Sequence, residues 1–277
     1  MTIVDRQRIL QALDRPATTL GVLPEMAAVR PRLQIHTYGI LPSTNTEAWA
    51  WVDRGAGAGT VVIADRQASG RGQWGREWAS LPGGLYLSLV LEPEIHVRDR
   101  AWLTLASAWG VAIALENLGV SLGLKWPNDL VSPDGRKLGG ILTETRLAGE
   151  YIMKAVVGIG VNWSNPVPPQ GASLQAMLPP SRPFQTLEEL AAIVVRGMLQ
   201  GYQMWQHQGT EALTAHYQTK LINLGQRVTV NGHSGEVLGV SANGDLAVLL
   251  RAGADTTQRI TLQPGEIALG YNTEVLS

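Results

Sequence analysis

The chain has no cysteine, which excludes disulfides, a thiolate nucleophile and Cys-ligated zinc. It has almost no net charge: 22 basic against 23 acidic side chains leave −1. Nothing global therefore draws it to nucleic acid or to an anionic membrane. No apolar run is long and uninterrupted enough to span a bilayer. Met1 is followed by Asp5, Arg6 and Arg8 rather than by an apolar segment, so no secretory signal is read. A soluble, cytoplasmic protein without membrane contacts is the expectation. The five histidines are scattered without metal-ligand spacing, and neither G-x-S-x-G nor H-E-x-x-H occurs, so no nucleophile–base pair is read. Phenylalanine appears once against nine tryptophans, most of them assigned to the core. The hydrophobic fraction of 45% over 277 residues suits one large domain, or a large one and a small one.

The most informative stretch is residues 67–84. Gly70, Gly72 and Gly75 alternate there with Arg71 and Arg76, and Trp78 follows. Glycine lets a backbone approach a ligand and point N–H groups at it. Arginine adds a planar fork for carboxylate and phosphate oxygens, and tryptophan a flat face for a ring. Gly70-Arg71-Gly72-Gln73-Trp74-Gly75 also fits the dinucleotide fingerprint G-x-G-x-x-G. That fingerprint needs a helix to start at the loop. Here Pro82-Gly83-Gly84 leads into an apolar strand-like run, 85–91. Strand–loop–strand rejects a Rossmann site, and no G-K-[ST] closes a P-loop. An ordinary solvated loop is the plainer alternative.

Two further clusters carry chemistry. Lys125-Trp126-Pro127-Asn128-Asp129 and Arg136-Lys137-Leu138-Gly139-Gly140 read as a strand, a turn and a return strand. Asn128 and Asp129 offer oxygens suited to a hard cation that escorts phosphates. The alternative is a hairpin with Lys137 as a solvated edge lysine. In Val157-Gly158-Ile159-Gly160-Val161-Asn162, both glycines fall on one strand face. They leave room either for a ligand or for a closely packed helix. Ser43-Thr44-Asn45 suits either a polar ligand or a helix N-cap.

Periodicity places helices at Val4–Leu13, from Ser43 to about Val52 with a Thr44/Glu47 capping box, at Asp99–Leu118, from Thr186 to Gln206, and at Glu211–Lys220. Strands fall at 33–38, 60–66, 85–91, near 122–126, 138–145 and 151–161, and the Pro-rich run 166–183 reads as a loop. From Gly225 the pattern changes to short β runs at 226–230, 235–240, 247–250 and 259–262, with Asn-Gly turns at 231–232 and 243–244.

These pieces, in this order, resemble the biotin protein ligases (biotin–[acetyl-CoA-carboxylase] ligases). The resemblance runs over roughly residues 33–165 and extends to the C-terminal β unit. It implies an α/β (α+β) fold: a class II aminoacyl-tRNA synthetase-like catalytic domain, 33–222, with a small C-terminal SH3-like β-barrel, 223–277, after an N-terminal extension, 1–32. It implies activation of biotin by ATP and Mg²⁺ to biotinyl-5′-AMP, then transfer to a lysine of a biotin carboxyl carrier protein. By the same resemblance, Lys137 and Arg71 are catalytic. Ser43, Thr44, Asn45, Gln67, Gly70, Gly139, Gly140, Leu142, Gly158 and Gly160 join them in holding biotin. Arg76, Trp78, Asn128 and Asn162 serve ATP, and Asp129 serves Mg²⁺. A lipoate or octanoate protein ligase shares the fold and is the runner-up. Family members that repress transcription carry a winged helix-turn-helix before the catalytic core. Residues 1–32 are too few for one, so no DNA binding is expected. Gln73-Trp74 departs from the further arginines the family often has at that point.

Overall fold

The glycine-rich segments lie on one large mixed sheet, as a computed structural model of the chain shows. The structure describes residues 4–181, 183–251 and 256–270. Residues 1–3 of the expected extension, Arg182 of the expected loop, and residues 252–255 and 271–277 of the expected C-terminal unit lie outside them. In chain order the elements are α1 Arg6–Leu13, β1 Gln34–Leu41, α2 Thr44–Asp53, β2 Thr60–Gln67, β3 Leu85–Leu91, β4 Ile95–His96, α3 Arg100–Asn117, β5 Gly123–Lys125, β6 Asp129–Val131, β7 Lys137–Ala148, β8 Tyr151–Val161, α4 Leu187–Gln218, β9 Arg227–Val230, β10 His233–Val240, β11 Leu246–Arg251 and β12 Thr257–Leu262.

The large sheet runs β1-β2-β3-β8-β7-β6-β5, with β4 attached to β8. The β1–β2 pair, joined through α2, is parallel, and β3, β8, β7, β6 and β5 pair antiparallel. Strand alternation divides its two faces. Val61, Ile63, Leu87, Leu89, Val157 and Ile159 point to the main core under α3 and α4. Val62, Ala64, Val90 and Val156 point the other way, under Ala48 and Val52 of α2. α2 covers only part of that second face, and the site occupies the rest.

α3 and α4 cross closely because glycine removes the side chains between them: a methyl on Gly201 would lie 1.9 Å from the Ala106 carbonyl oxygen, and one on Gly110 2.1 Å from that of Gly197. The capping box at Thr186 forms with Glu189. Gly209, at φ 80° and ψ 176°, breaks α4 into the two helices expected there.

The Thr44/Glu47 capping box does not form. Ser43 is the N-cap of α2, so the third helical position is Thr46 and not Glu47. Glu47 instead accepts from Tyr38 Oη at 3.1 Å. β6 is a strand the pattern did not mark: Trp126 to Asn128 form the tight link that returns β5 along it, Lys125 facing Asp129. The four C-terminal strands form an antiparallel sheet ordered β12-β11-β10-β9. Two tryptophans from the larger sheet's side hold its β10–β11 turn: Trp102 Nε1 donates to the Ala242 carbonyl at 2.8 Å and Trp126 Nε1 to that of Gly244 at 2.9 Å.

Candidate active site

A cavity of about 590 Å³ opens on the face of β7 and β8 beside the start of α2. Its floor is made of missing side chains. A methyl on Gly158 would lie 2.1 Å from Asn45 Oδ1, and one on Gly160 2.5 Å from Trp78 Nε1. Gly140, paired with Gly160, lies under the same indole, 3.3 Å from its Cζ3 by the same construction. The room these glycines leave thus admits Asn45 and the Trp78 ring against the strands.

One end of the cavity is neutral and hydrogen-bonded. Gln67 Oε1 accepts from the Thr44 N–H at 2.8 Å and from its hydroxyl at 3.2 Å, and Gln67 Nε2 donates to Ser80 Oγ at 2.8 Å. Buried Ser88 Oγ lies 2.8 Å from Thr44 Oγ1 and 2.6 Å from Asn45 Oδ1. Asn45 Nδ2 donates to the Leu142 carbonyl and to Glu144. Ser43, Thr44 and Asn45 are all buried and line the cavity with Gln67 and Leu142.

The other end is cationic. Lys137 Nζ is 2.6 Å from Asp129 Oδ1 and 5.2 Å from the centre of the Trp78 ring. Lys125, 3% exposed, faces Asp129 across β5 and β6. Burial pulls its ammonium down to about 8. Lys137 and Arg76 add to that shift, and Asp129 opposes it. Three cations, Arg76, Lys125 and Lys137, thus share the wall with Asp129, which favours a multiply charged anion.

The backbone of Lys137 is clamped. Its N–H donates to the Gln170 carbonyl at 2.8 Å, and its carbonyl accepts from the Ala172 N–H at 2.8 Å. The Pro-rich loop thereby positions this lysine. Asn128 lines the cavity and donates from Nδ2 to the Ile141 carbonyl at 2.8 Å.

The glycine–arginine loop forms the roof. It folds as a small hairpin: Arg71 bridges Glu77, Gly72 N–H donates to the Arg76 carbonyl at 2.7 Å, and Trp78 N–H to that of Gly70 at 2.9 Å. Gly70 is dictated by packing, since a methyl there would lie 2.4 Å from the Trp78 carbonyl oxygen. Arg71 Nη2 pairs with Glu144 Oε1 at 3.0 Å. Glu144 also accepts from Trp49 Nε1 at 3.1 Å. Arg71 lines the main cavity and also a second one of about 500 Å³, which Gly70 borders too.

Three expected site residues sit otherwise. Gly139 alternates away from the cavity: a methyl there would meet the Gly160 carbonyl, Leu130 and Val161, because neighbours on a strand face opposite sides. Gly70 borders the second cavity rather than the main one. Asn162 lies just past the end of β8, 8% exposed and outside both cavities. Its Nδ2 donates to the Lys137 carbonyl and its Oδ1 accepts from Asn165. A strand end leaves backbone groups to be satisfied, and Asn162 does that at the residue carrying Lys137.

Several residues in the walls had no assigned role. Lys125 and Trp126 lay inside a quoted motif. Pro264, Gly265 and Ile267 come from the turn after β12, and no local pattern ties that turn to the site. Among the described residues no three His, Cys, Asp or Glu side chains converge as a metal site.

Residues 38–162 match the Biotin/lipoate A/B protein ligase family. A biotin--[acetyl-CoA-carboxylase] ligase of Mycobacterium tuberculosis is 29% identical over 88% of this chain and 91% of its own length. A bifunctional ligase/repressor of Bacillus subtilis is 37% identical over 45% of this chain. The match spans only 39% of that relative's length. Among solved structures, the biotin protein ligase from Aquifex aeolicus in complex with biotin and ATP superposes with a TM-score of 0.67 at 25% identity. That match covers 88% of this chain and all of the other. The segment matched to the biotin/lipoate A/B protein ligase family runs from within β1 to just past the end of β8 and contains the loop, the glycine floor and the lysines of the cavity.

Proposed function

We propose that this chain couples biotin to ATP, forming biotinyl-5′-AMP and pyrophosphate, and then transfers the biotinyl group to a lysine of a biotin carboxyl carrier protein. The observation that carries the proposal is the two-ended cavity. Its neutral end, with Thr44, Gln67 and Asn45, suits a ureido ring. Its cationic end, with Arg76, Lys125 and Lys137, suits a carboxylate meeting a triphosphate. Its volume of about 590 Å³ falls within the range of about 300–1,000 Å³ typical of small-molecule sites. What the relatives' names say they act on supports the same reading.

A carboxylate oxygen of biotin attacks the α-phosphorus, the bond from that phosphorus to the β-phosphate oxygen breaks, and pyrophosphate leaves. The carboxylate is already a nucleophile, so the chain has only to align it and offset crowded negative charge. Lys137 sits where both partners converge. Arg71 exchanges its Glu144 partner for the adenylate as the loop closes. Arg76, Asn128 and the Trp78 ring face the nucleotide. In the second step the carrier's amine attacks the biotinyl carbonyl, the bond to AMP breaks, and the amine gives up a proton.

Mg²⁺ is commonly held by one or two carboxylates together with the substrate phosphates. Asp129, with Asn128 beside it, fits that donor set and would hold the ion, whose charge would offset that of phosphate oxygens. Residues 33–222 serve as the catalytic unit, and 223–277 as an SH3-like cap.

Incubating the purified protein with biotin, MgATP and a carrier domain tests the proposal, with mass spectrometry of carrier and small molecules. Biotinyl-AMP and a carrier heavier by one biotinyl group are expected. Transfer of lipoate or octanoate instead of biotin would replace this reading with the other branch of the family.

A further inference from the structure

Trp74 takes no part in the chemistry above, yet its geometry is costly. Its φ of 59° and ψ of 35° are left-handed, a conformation that a bulky residue rarely adopts without a compensating contact. The residue is 65% exposed, and its ring lies against Gly265 of the turn after β12. A methyl at Gly265 would lie 2.7 Å from Trp74 Cζ2 and 2.9 Å from Cη2. Gly265 is itself at φ +100°, so the indole takes the place where a side chain would stand. Both residues border the main cavity.

The two partners differ in how they are anchored. The turn beyond β12 is fixed from below, since Ile267 and Leu269 pack on the main core. Its sheet is held to the body by Trp102 and Trp126 through Ala242 and Gly244. The glycine–arginine loop meets that platform through the Trp74 ring.

We propose that Trp74 is a positioning residue: a latch that docks the glycine–arginine loop onto Gly265, closing the roof over the nucleotide end so that the adenylate is retained until the carrier arrives. The proposal rests on the adenylate-forming reading above. Because Trp74 remains largely exposed, the contact is weak enough to open in each turnover. It makes the C-terminal unit part of the lid.

Trp74→Asn tests it, because asparagine accepts left-handed backbone but offers no ring. Trp74→Phe keeps a ring. Gly265→Ala puts a methyl where the indole stands and so displaces the ring from its seat, leaving the loop's own sequence unchanged. Without ligand, the amides of Gln263, Gly265 and Glu266, whose turn is closed by Glu266 N–H to the Gln263 carbonyl at 3.1 Å, should exchange faster in Trp74→Asn and in Gly265→Ala than in wild type. Bound biotinyl-AMP should dissociate about three- to tenfold faster from both, the loss expected of one aromatic contact. The apparent KM for ATP should rise more than kcat falls. Trp74→Phe should restore most of the retention. Wild-type exchange and wild-type release in Trp74→Asn overturn the latch. If wild type makes no biotinyl-AMP, the adenylation reading fails instead; the ligand-free exchange then decides the latch, and unchanged exchange refutes it.

Discussion

Lys137→Ala is the sharpest probe of the cationic end. The lysine reaches the cavity from the first residue of β7, 2.6 Å from Asp129 and 5.2 Å from the Trp78 ring centre. Its side chain is 29% exposed and that of Asp129 12%, so the pair is well shielded from water. Removing one preorganised group that faces developing charge typically lowers kcat by about 10²–10³-fold, or about 2.7–4 kcal/mol. The effect on folding should be smaller. A shielded carboxylate stripped of every partner would cost about 3–5 kcal/mol, but Lys125 still faces Asp129 across the β5–β6 pair. A loss of about 1–2 kcal/mol is therefore expected, or about 2–8 °C in Tm for a chain of this size. Pyrophosphate release from biotin and MgATP, with a thermal melt beside it, separates the two effects. A well-folded variant releasing pyrophosphate at a near wild-type rate would refute the reasoning and pass the role to Lys125.

Three further outcomes follow from the geometry. Lys125 has a folded pKa of about 8 against an ordinary 10.5. Between those values the unfolded chain binds more protons than the folded one, so wild-type stability rises with pH. Lys125→Met should therefore melt higher than wild type at pH 7, by a margin that shrinks from pH 8 to pH 10; a margin constant with pH counts against the burial argument. Gly158→Ala pushes a methyl into Asn45, whose amide is already held by Ser88, Leu142 and Glu144. Overpacking of about 1–3 kcal/mol and a raised KM for biotin should appear in calorimetry and kinetics, and an unchanged KM would show that the floor yields. Trp126→Phe leaves the Gly244 carbonyl without its indole donor, at a loss of about 1–3 kcal/mol; hydrogen exchange of residues 241–245 should rise, and unchanged exchange would show that the turn is held by other contacts.

Much of the cavity's lining was legible in the sequence, because backbone chemistry is local. Glycine, arginine and tryptophan at fixed spacing between two strand patterns declare a close-approach loop, and period-two glycines declare a strand face kept clear. The antiparallel C-terminal strands were legible from their Asn-Gly turns for the same reason. Local pattern misled where one residue of phase matters. The capping box at Thr44 failed because α2 begins one position earlier, and Gly139 turned to the core because its neighbour Gly140 took the cavity side.

What only the tertiary structure decided is which distant groups meet. No spacing reveals that Asn162 and the Pro-rich loop clamp the backbone of Lys137, or that Asn45 fills the room above Gly158. Nor does it reveal that Trp126, inside a site motif, holds the C-terminal sheet. Lys125 shows the physical reason: its ammonium titrates low because burial and the cations Lys137 on β7 and Arg76 on the loop act through space, against the opposing pull of Asp129 on β6. Sequence separation carries no information about those distances.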